Sequence, residues 1–240
     1  MKYFTREYQK KSLNILEDGI ISIDTRAKVK EDLFYQEIYQ ATYDRYCRDW
    51  GYELTDDEFN YILNDKTKYF NEVIPEYIIG RIADFRVAAL GIVTDEIYNA
   101  IKDYNAKALN YCENARYSYL YEYEISKQYF SERCARALNC NLCDARIIRC
   151  FQNNDNIYMY FSLDTYTKNN DYDLLYIFKK GEFLELTGVI QEDEVCYSEV
   201  YALKNYVEFH ILGQNSQCII AAEDLDYRFS ESYKYREGIN

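Results

Sequence analysis

Histidine is nearly absent from this chain: His210 is the only one among 240 residues. Any imidazole relay or catalytic triad must therefore use His210. The segment around it alternates like a strand, which places Glu208 on the same face as the imidazole and Phe209 on the other. We favour a structural or surface histidine, because a single residue seldom marks a functional site.

Long apolar runs are also missing, and no stretch approaches the roughly 18 residues that a membrane-spanning helix needs. The first residues reach Arg6 and Glu7 without the apolar segment of a secretory signal. We therefore expect no membrane association and a cytoplasmic location. In that compartment the eight cysteines are expected to be reduced thiols rather than disulfides.

Basic side chains are outnumbered, since 28 Lys and Arg stand against 41 Asp and Glu and give a net charge of −13. This charge opposes binding to nucleic acid or to anionic lipid and suits a basic protein partner. The Walker loop, the dinucleotide fingerprint, the kinase signature and the nucleophile elbow are all absent from the sequence. The sequence accordingly predicts no cofactor.

Helical periodicity and capping signals predict an α-helical region over residues 1–139. One helix is predicted from about Asp24 to Trp50, and Gly51 ends it. Thr55 and Glu58 have the spacing of a capping box, in which each side chain binds a free amide at the start of the next helix.

The segment Ile78–Gly91 is predicted to belong to one core helix. The first turn of this helix includes Pro75, where the missing backbone amide costs nothing. Its apolar run encloses two opposite charges, Asp84 and Arg86. Residues two apart on a helix point to different sides, so these charges are not expected to pair with each other. We favour solvated edges of a core helix, and the alternative is a buried polar site.

A stripe of apolar residues at spacings of three and four follows Thr94 and predicts a long packed helix. The segment Tyr117–Ile125 is ambiguous, because its tyrosines alternate with other residues as they would in a strand. The absence of glycine and proline favours a helix there.

Residues 140–240 contain short alternating segments separated by turn residues, which predicts an antiparallel β-sheet region. Asn153–Asn156 is a predicted hairpin turn, and Gly213–Ser216 is another. The predicted fold class is therefore α+β, with a helical N-terminal half packed on an antiparallel β-rich C-terminal half.

Four cysteines come closest to metal-site spacing, namely Cys134, Cys140, Cys143 and Cys150. Four thiolates hold zinc tetrahedrally, and a C-x-x-C pair also occurs at redox sites. However, the first lies within a helical stripe and the last within a strand. We favour buried, inert thiols.

Two acidic runs, Glu192–Glu194 and Glu223–Asp226, are the other candidates for a metal site. Neither has the glycine placement of a calcium loop. We therefore expect solvated loop charges in both.

Three local patterns carry a family resemblance: Met1–Glu7, Asp84–Gly91 and Leu142–Ala145. Together they resemble an uncharacterised family of Firmicute bacterial proteins, classed as a domain of unknown function. The resemblance implies a bacterial cytoplasmic protein and brings no activity or cofactor. The junction in that family often has histidine before the aspartate, whereas Cys143 precedes Asp144 here, which weakens any shared histidine site.

The favoured function is a non-enzymatic protein-interaction protein with an acidic, tyrosine-bearing surface, similar in profile to toxin-neutralising immunity proteins. No catalytic residue is assigned. The alternative is a metal-dependent or thiol-based enzyme, in which the four cysteines and Asp144 would meet Asp84 and Arg86 in one pocket. An acidic mimic of nucleic acid is the third hypothesis, but the carboxylates lack a regular spacing along one face.

Overall fold

The computed structural model describes residues 1–16, 21–163, 172–203 and 206–231. The fold class is α+β, as predicted: helices occupy the first part of the chain and antiparallel strands the second. The helices are α1 (Arg6–Leu13), α2 (Asp32–Trp50), α3 (Asp56–Val73), α4 (Glu76–Ile79), α5 (Phe85–Ala89), α6 (Asp95–Ser126) and α7 (Glu132–Ala137). The strands are β1 (Ser22–Ile23), β2 (Ile92–Val93), β3 (Arg146–Asn153), β4 (Asn156–Ser162), β5 (Tyr172–Lys179), β6 (Glu182–Thr187), β7 (Val195–Leu203), β8 (Tyr206–Gly213), β9 (Gln217–Ala222) and β10 (Asp224–Glu231).

The chain forms two compact units, one of residues 10–112 and one that joins residues 1–9 to residues 113–240. The change from helices to strands falls between α7 and β3, so the units do not follow the change in secondary structure. Helix α6 contributes its first part, up to Cys112, to one unit and its remainder to the other.

The unit of residues 10–112 is helical, and its capping signals are confirmed. Thr55 and Glu58 form the predicted capping box at the start of α3, and Gly51 ends α2 with a left-handed φ of 77°. The helix predicted from about Asp24 is shorter than expected, because Asp24 caps a single 3₁₀ turn and Val29 is extended. Helix α2 therefore begins only at Asp32.

The prediction of one helix over Ile78–Gly91 is wrong, because two short helices, α4 and α5, occupy this segment. Asp84 stands between them with φ −128° and ψ 102°, which is an extended conformation and interrupts the helix. The following residues form β2, which pairs in parallel with β1. Ile78, Ala88 and Val93 nevertheless belong to one buried core, as their apolar character predicts.

The other unit contains two four-stranded antiparallel sheets. The first sheet has the strand order β10-β5-β4-β3, and the second has the order β6-β9-β8-β7. Side chains from both sheets form one continuous buried core in which Phe209 of the second sheet contacts Tyr176 and Phe178 of the first, with ring centroids 5.7 and 5.4 Å apart. The sheets therefore pack face to face as a sandwich.

One bent ribbon connects the two sheets. Strand β5 lies in the first sheet and β6 in the second, and the chain crosses between them at Lys180 and Gly181. Strands β9 and β10 make the reverse crossing at Glu223, and the carboxylate of Glu223 binds Lys180 Nζ at 2.8 Å. Gly181 suits the bend, since a Cβ there would lie 2.9 Å from the Phe178 carbonyl oxygen.

The ambiguous segment Tyr117–Ile125 is helical and lies within α6, as preferred from the sequence. In a strand these alternating tyrosines would share one face, whereas in the helix residues two apart lie on nearly opposite sides, so the tyrosines fall on two faces. In the parts of the chain described above, no helix is both long and apolar enough to cross a bilayer.

Candidate protein-interaction surface

Asp84 and Arg86 pair directly, which corrects the prediction that they cannot. Asp84 precedes α5 instead of lying within it, so its carboxylate folds over the first turn. It accepts hydrogen bonds from the Arg86 backbone N–H at 3.1 Å, from Nε at 3.0 Å and from the guanidinium Nη2 at 2.7 Å. These bonds hold the pKa of Asp84 below its usual value although burial opposes the shift.

The Asp84 side chain is 2% exposed, so it is not the solvated edge that was expected. Arg86 reaches further out, where it binds Asp32 at 2.9 Å and lies over the Tyr35 ring at 4.4 Å. The pair therefore fixes the entry into α5. It has the form of a structural cap.

Asp84→Asn should lower the free energy of unfolding by about 1–2 kcal/mol at neutral pH, because the amide loses the charge-assisted bonds and caps less well. The folded pKa is depressed, so the carboxylate stabilises the fold above its unfolded pKa of about 3.9 and less as the pH falls below that value. The difference from wild type, measured by urea unfolding with hydrogen exchange at α5, should shrink at acidic pH.

Asp32→Asn is the matched control, since Asp32 contacts the same guanidinium from an 84% exposed position. We expect it to cost less than about 0.5 kcal/mol. Equal losses in the two variants would contradict the assignment of Asp84 as the cap.

Glu199 on β7 is a buried carboxylate with several hydrogen bonds, and the sequence patterns did not single it out. It is completely buried, and it accepts hydrogen bonds from the backbone amides of Lys2, Tyr3 and Phe4. The Tyr201 hydroxyl donates a fourth bond at 2.8 Å. A carboxylate flanked by apolar and aromatic residues in a predicted strand was the available signal, because a charge on such a face needs partners.

The segment of residues 1–9 is thereby held against the outer face of the second sheet. Glu122 of α6 adds bonds from the Lys2 ammonium and from the Tyr3 hydroxyl, the latter at 2.7 Å. The Phe4 ring contacts Tyr119 of α6 at a centroid distance of 5.0 Å. The side of α6 that faces residues 1–9 is therefore occupied by polar and aromatic contacts.

His210 on β8 is buried beside Glu199. Its Nε2 lies 3.1 Å from a Glu208 carboxylate oxygen, which fits the shared face predicted for these two residues. Its Nδ1 faces Glu199 at 3.9 Å and has no hydrogen-bond partner among the described residues. Burial lowers the pKa of His210, with the Glu208 bond opposing. The imidazole lies between two carboxylates and the Tyr201 ring, which is typical of a structural histidine.

The four candidate cysteines are spread along the second unit. Cys134 of α7 lies in the sandwich core and Cys150 lies on β3, while Cys143 is exposed. Burial raises the pKa of Cys134 to about 12 and that of Cys150 to about 11, and the pKa values of Cys140 and Cys143 are also raised. These shifts favour neutral thiols, which are poor metal ligands and poor nucleophiles.

No three His, Cys, Asp or Glu side chains are grouped to hold a metal ion in the part of the chain that the structure describes. Asp144 serves the turn before β3, where it has a φ of 64° and its backbone N–H binds the Val195 carbonyl oxygen at 2.9 Å. Asp84 and Arg86 lie in the unit of residues 10–112, whereas Asp144 and the four cysteines belong to the other.

The acidic runs match the expected solvated loops only in part: Glu192 and Glu223 are exposed outside the strands, whereas the aspartates differ. Asp193 is buried and accepts hydrogen bonds from the Ser216 hydroxyl at 2.6 Å and from the Asn215 amide, so it closes the turn between β8 and β9. Asp224 and Asp226 lie on β10 rather than in a loop, and both pair with Lys179. The charged residues of β10 obscure the alternation of apolar and polar residues that predicts a strand, so the sequence did not indicate this strand.

The outer face of α6 carries an exposed apolar surface, here called the α6 stripe. It is formed by Tyr117, Leu120, Tyr121 and Ile125. Tyr117 and Tyr121 are 67% and 70% exposed. They lie four residues apart and therefore on the same side of the helix, while Tyr119 and Tyr123 point inward. The alternating tyrosines thus supply a buried face and a free face of one helix.

Acidic residues flank the α6 stripe. Glu113 lies one turn before Tyr117, and Glu124 lies one turn after Leu120, where it pairs with Lys127. Both glutamates are exposed. Aromatic residues surrounded by charge are typical of protein-binding surfaces.

Comparison of the chain with protein-family models, with curated proteins and with solved structures gives no match.

Proposed function

We propose that this chain is a non-enzymatic protein-interaction protein of the bacterial cytoplasm, and that it binds a basic protein through the α6 stripe. The observation that carries the proposal is the pair of tyrosines, Tyr117 and Tyr121, exposed side by side on a helix whose opposite face is fully engaged. Tyrosine contributes strongly to protein interfaces, because it combines a large apolar ring with a hydroxyl group.

Charge supports the choice of a basic partner. The net charge of −13 and the exposed Glu113 one turn before the α6 stripe favour the approach of a positively charged protein and disfavour nucleic acid. The resemblance to a Firmicute family and the eight free cysteines support a reducing bacterial cytoplasm. A toxin-neutralising immunity protein is one such binder, and it is the particular role that we propose.

The test is affinity capture from a bacterial lysate with the full chain and with a Tyr117→Ala, Tyr121→Ala double variant. Wild type should retain a basic protein in a stoichiometric amount, with less retained at high salt because opposite charges are screened. The double variant should lose at least about 2 kcal/mol of binding free energy, as hot-spot tyrosines do. Quantitative mass spectrometry and calorimetry with the purified partner provide the measurement.

Tyr61→Ala is the matched control, since Tyr61 on α3 is 75% exposed and lies in the other unit. It should bind like wild type, and none of the variants should change stability by more than about 0.5 kcal/mol. Capture of no stoichiometric partner, or equal capture by the double variant, would contradict the proposal.

A further inference from the structure

His210 lies between two carboxylates, and only one of its ring nitrogens is used. Its side chain is 9% exposed. A carboxylate only accepts hydrogen bonds, so Nε2, which lies 3.1 Å from the Glu208 carboxylate, carries the proton of the neutral ring. Nδ1 then presents a bare lone pair to the Glu199 carboxylate at 3.9 Å. A second proton on the imidazole would therefore lie between Nδ1 and Glu199.

The Glu199 oxygen that faces Nδ1 is already fully used. Oε2 accepts hydrogen bonds from the Lys2 amide at 2.7 Å and from the Tyr201 hydroxyl at 2.8 Å, which occupy its two lone pairs. A hydrogen bond needs a distance of about 2.7–3.2 Å, so a protonated Nδ1 must approach Oε2 by roughly 1 Å. It thus competes with the Lys2 amide for the oxygen that helps to hold residues 1–9.

The surroundings of the imidazole disfavour a positive charge. Burial lowers the pKa of His210, and the positive amino group of Met1 acts in the same direction. The bond to Glu208 and the charge of Glu199 oppose this shift without cancelling it. The imidazolium is therefore less stable in the folded chain than in water, where the pKa of histidine is about 6.5.

The other groups packed around the imidazole carry no free charge that titrates in the same range. The Lys2 ammonium is paired with Glu122 of α6. The Tyr201 ring lies 5.0 Å from the imidazole, and its hydroxyl stays neutral because burial raises its pKa. Ile219, the neighbour of the imidazole on β9, is apolar. Between neutral pH and the carboxylate range, His210 is therefore the group that takes up a proton.

We propose that protonation of His210 releases residues 1–9 from the second sheet, so that their attachment through Glu199 depends on pH. Release exposes the imidazole to water and removes the cost of burying its charge. By linkage, the attachment is strongest above about pH 6.5 and weakens as the pH falls below that value toward the lower pKa of the attached state. Release also uncovers the rings of Tyr119 and Tyr197, which this segment contacts.

The experiment follows the ¹⁵N-labelled full chain by NMR from about pH 7.0 to about pH 5.5, which stays above the usual carboxylate pKa of about 4. His210 is the only histidine, so its ring signals report its protonation directly. Hydrogen-exchange protection of the Tyr3 and Phe4 amides, corrected for the intrinsic effect of pH, reports the attachment. It should fall about fivefold with the imidazole titration, whereas the Phe209 amide of β8 should keep its protection.

Two variants separate the imidazole from its surroundings. His210→Gln should remove the pH dependence, because an amide does not titrate. Glu208→Gln should move the midpoint to a lower pH by about one unit, because it removes the bond that favours the charged ring. Glu185→Gln is the matched control, since Glu185 on β6 binds Gln217 instead of the imidazole. Its midpoint should stay within about 0.2 units of wild type.

Three outcomes would overturn the proposal: protection at Tyr3 and Phe4 that stays constant or rises while the imidazole titrates, the same pH-dependent loss in His210→Gln, or a Glu208→Gln midpoint no lower than that of wild type. If His210→Gln does not fold, Glu208→Gln decides alone, because it keeps the imidazole. The α6 stripe is unchanged in these variants, so the proposed protein interaction keeps its own test.

Discussion

Phe209→Ala should lower the free energy of unfolding by about 4 kcal/mol, the largest effect expected from a single substitution in this chain. Phe209 is 1% exposed and contacts Tyr176 and Phe178 across the sandwich. Truncation removes the apolar area that joins the two sheets, and it leaves a cavity that the surrounding strands fill incompletely. A typical domain is stable by about 5–15 kcal/mol, so this loss is a large fraction of the total.

Urea unfolding followed by far-ultraviolet circular dichroism measures this loss, together with hydrogen exchange at the amides of β5 and β8. Phe229→Ala is the matched control, because Phe229 lies on β10 in the same unit but is 55% exposed. It should cost less than about 1 kcal/mol. Similar losses in the two variants would mean that the core does not hold the sheets together as described.

Glu199→Gln should cost about 3 kcal/mol, the second largest effect. The amide has nearly the same shape as the carboxylate, but it carries no charge and places an N–H₂ group among the donors of Lys2, Tyr3 and Phe4. Hydrogen bonds to a charged group contribute about 1.5–3 kcal/mol each, and buried donors left without an acceptor are destabilising.

Glu199→Gln should weaken the attachment of residues 1–9 as well as lower the free energy of unfolding of the whole unit. Hydrogen exchange at the amides of Tyr3 and Phe4 should accelerate strongly in Glu199→Gln, before the strands of the sandwich open. Glu208→Gln is the control on the neighbouring strand, since Glu208 is partly exposed and binds the His210 imidazole. If both variants show the same exchange at Tyr3, Glu199 does not organise residues 1–9.

Local signals in the sequence predicted much of the fold. The capping box at Thr55, the left-handed turn at Gly51 and the long helix after Thr94 each depend on residues within one or two turns of each other. The hairpin between β3 and β4 depends on its own turn residues in the same way. Such features form wherever the local sequence favours them.

Features that depend on distant residues were not predicted. The dipeptides of β1 and β2 are too short for periodicity, and their pairing brings Ser22 beside Ile92. Asp84 was assigned to a helix because the apolar spacing continues across it, although its capping side chain ends that continuity. The hydrogen bond from the Phe4 amide to Glu199 joins residues 195 positions apart, so local sequence patterns cannot indicate it.

That separation has a consequence for the order in which the chain folds. At about 5–20 residues per second, roughly 10 to 40 s pass between the synthesis of Phe4 and that of Glu199. Residues 10–112 form an uninterrupted unit and can fold within this interval, whereas residues 1–9 must wait for β7. The aromatic residues of that early segment therefore remain accessible to chaperones at least until Glu199 has been synthesised.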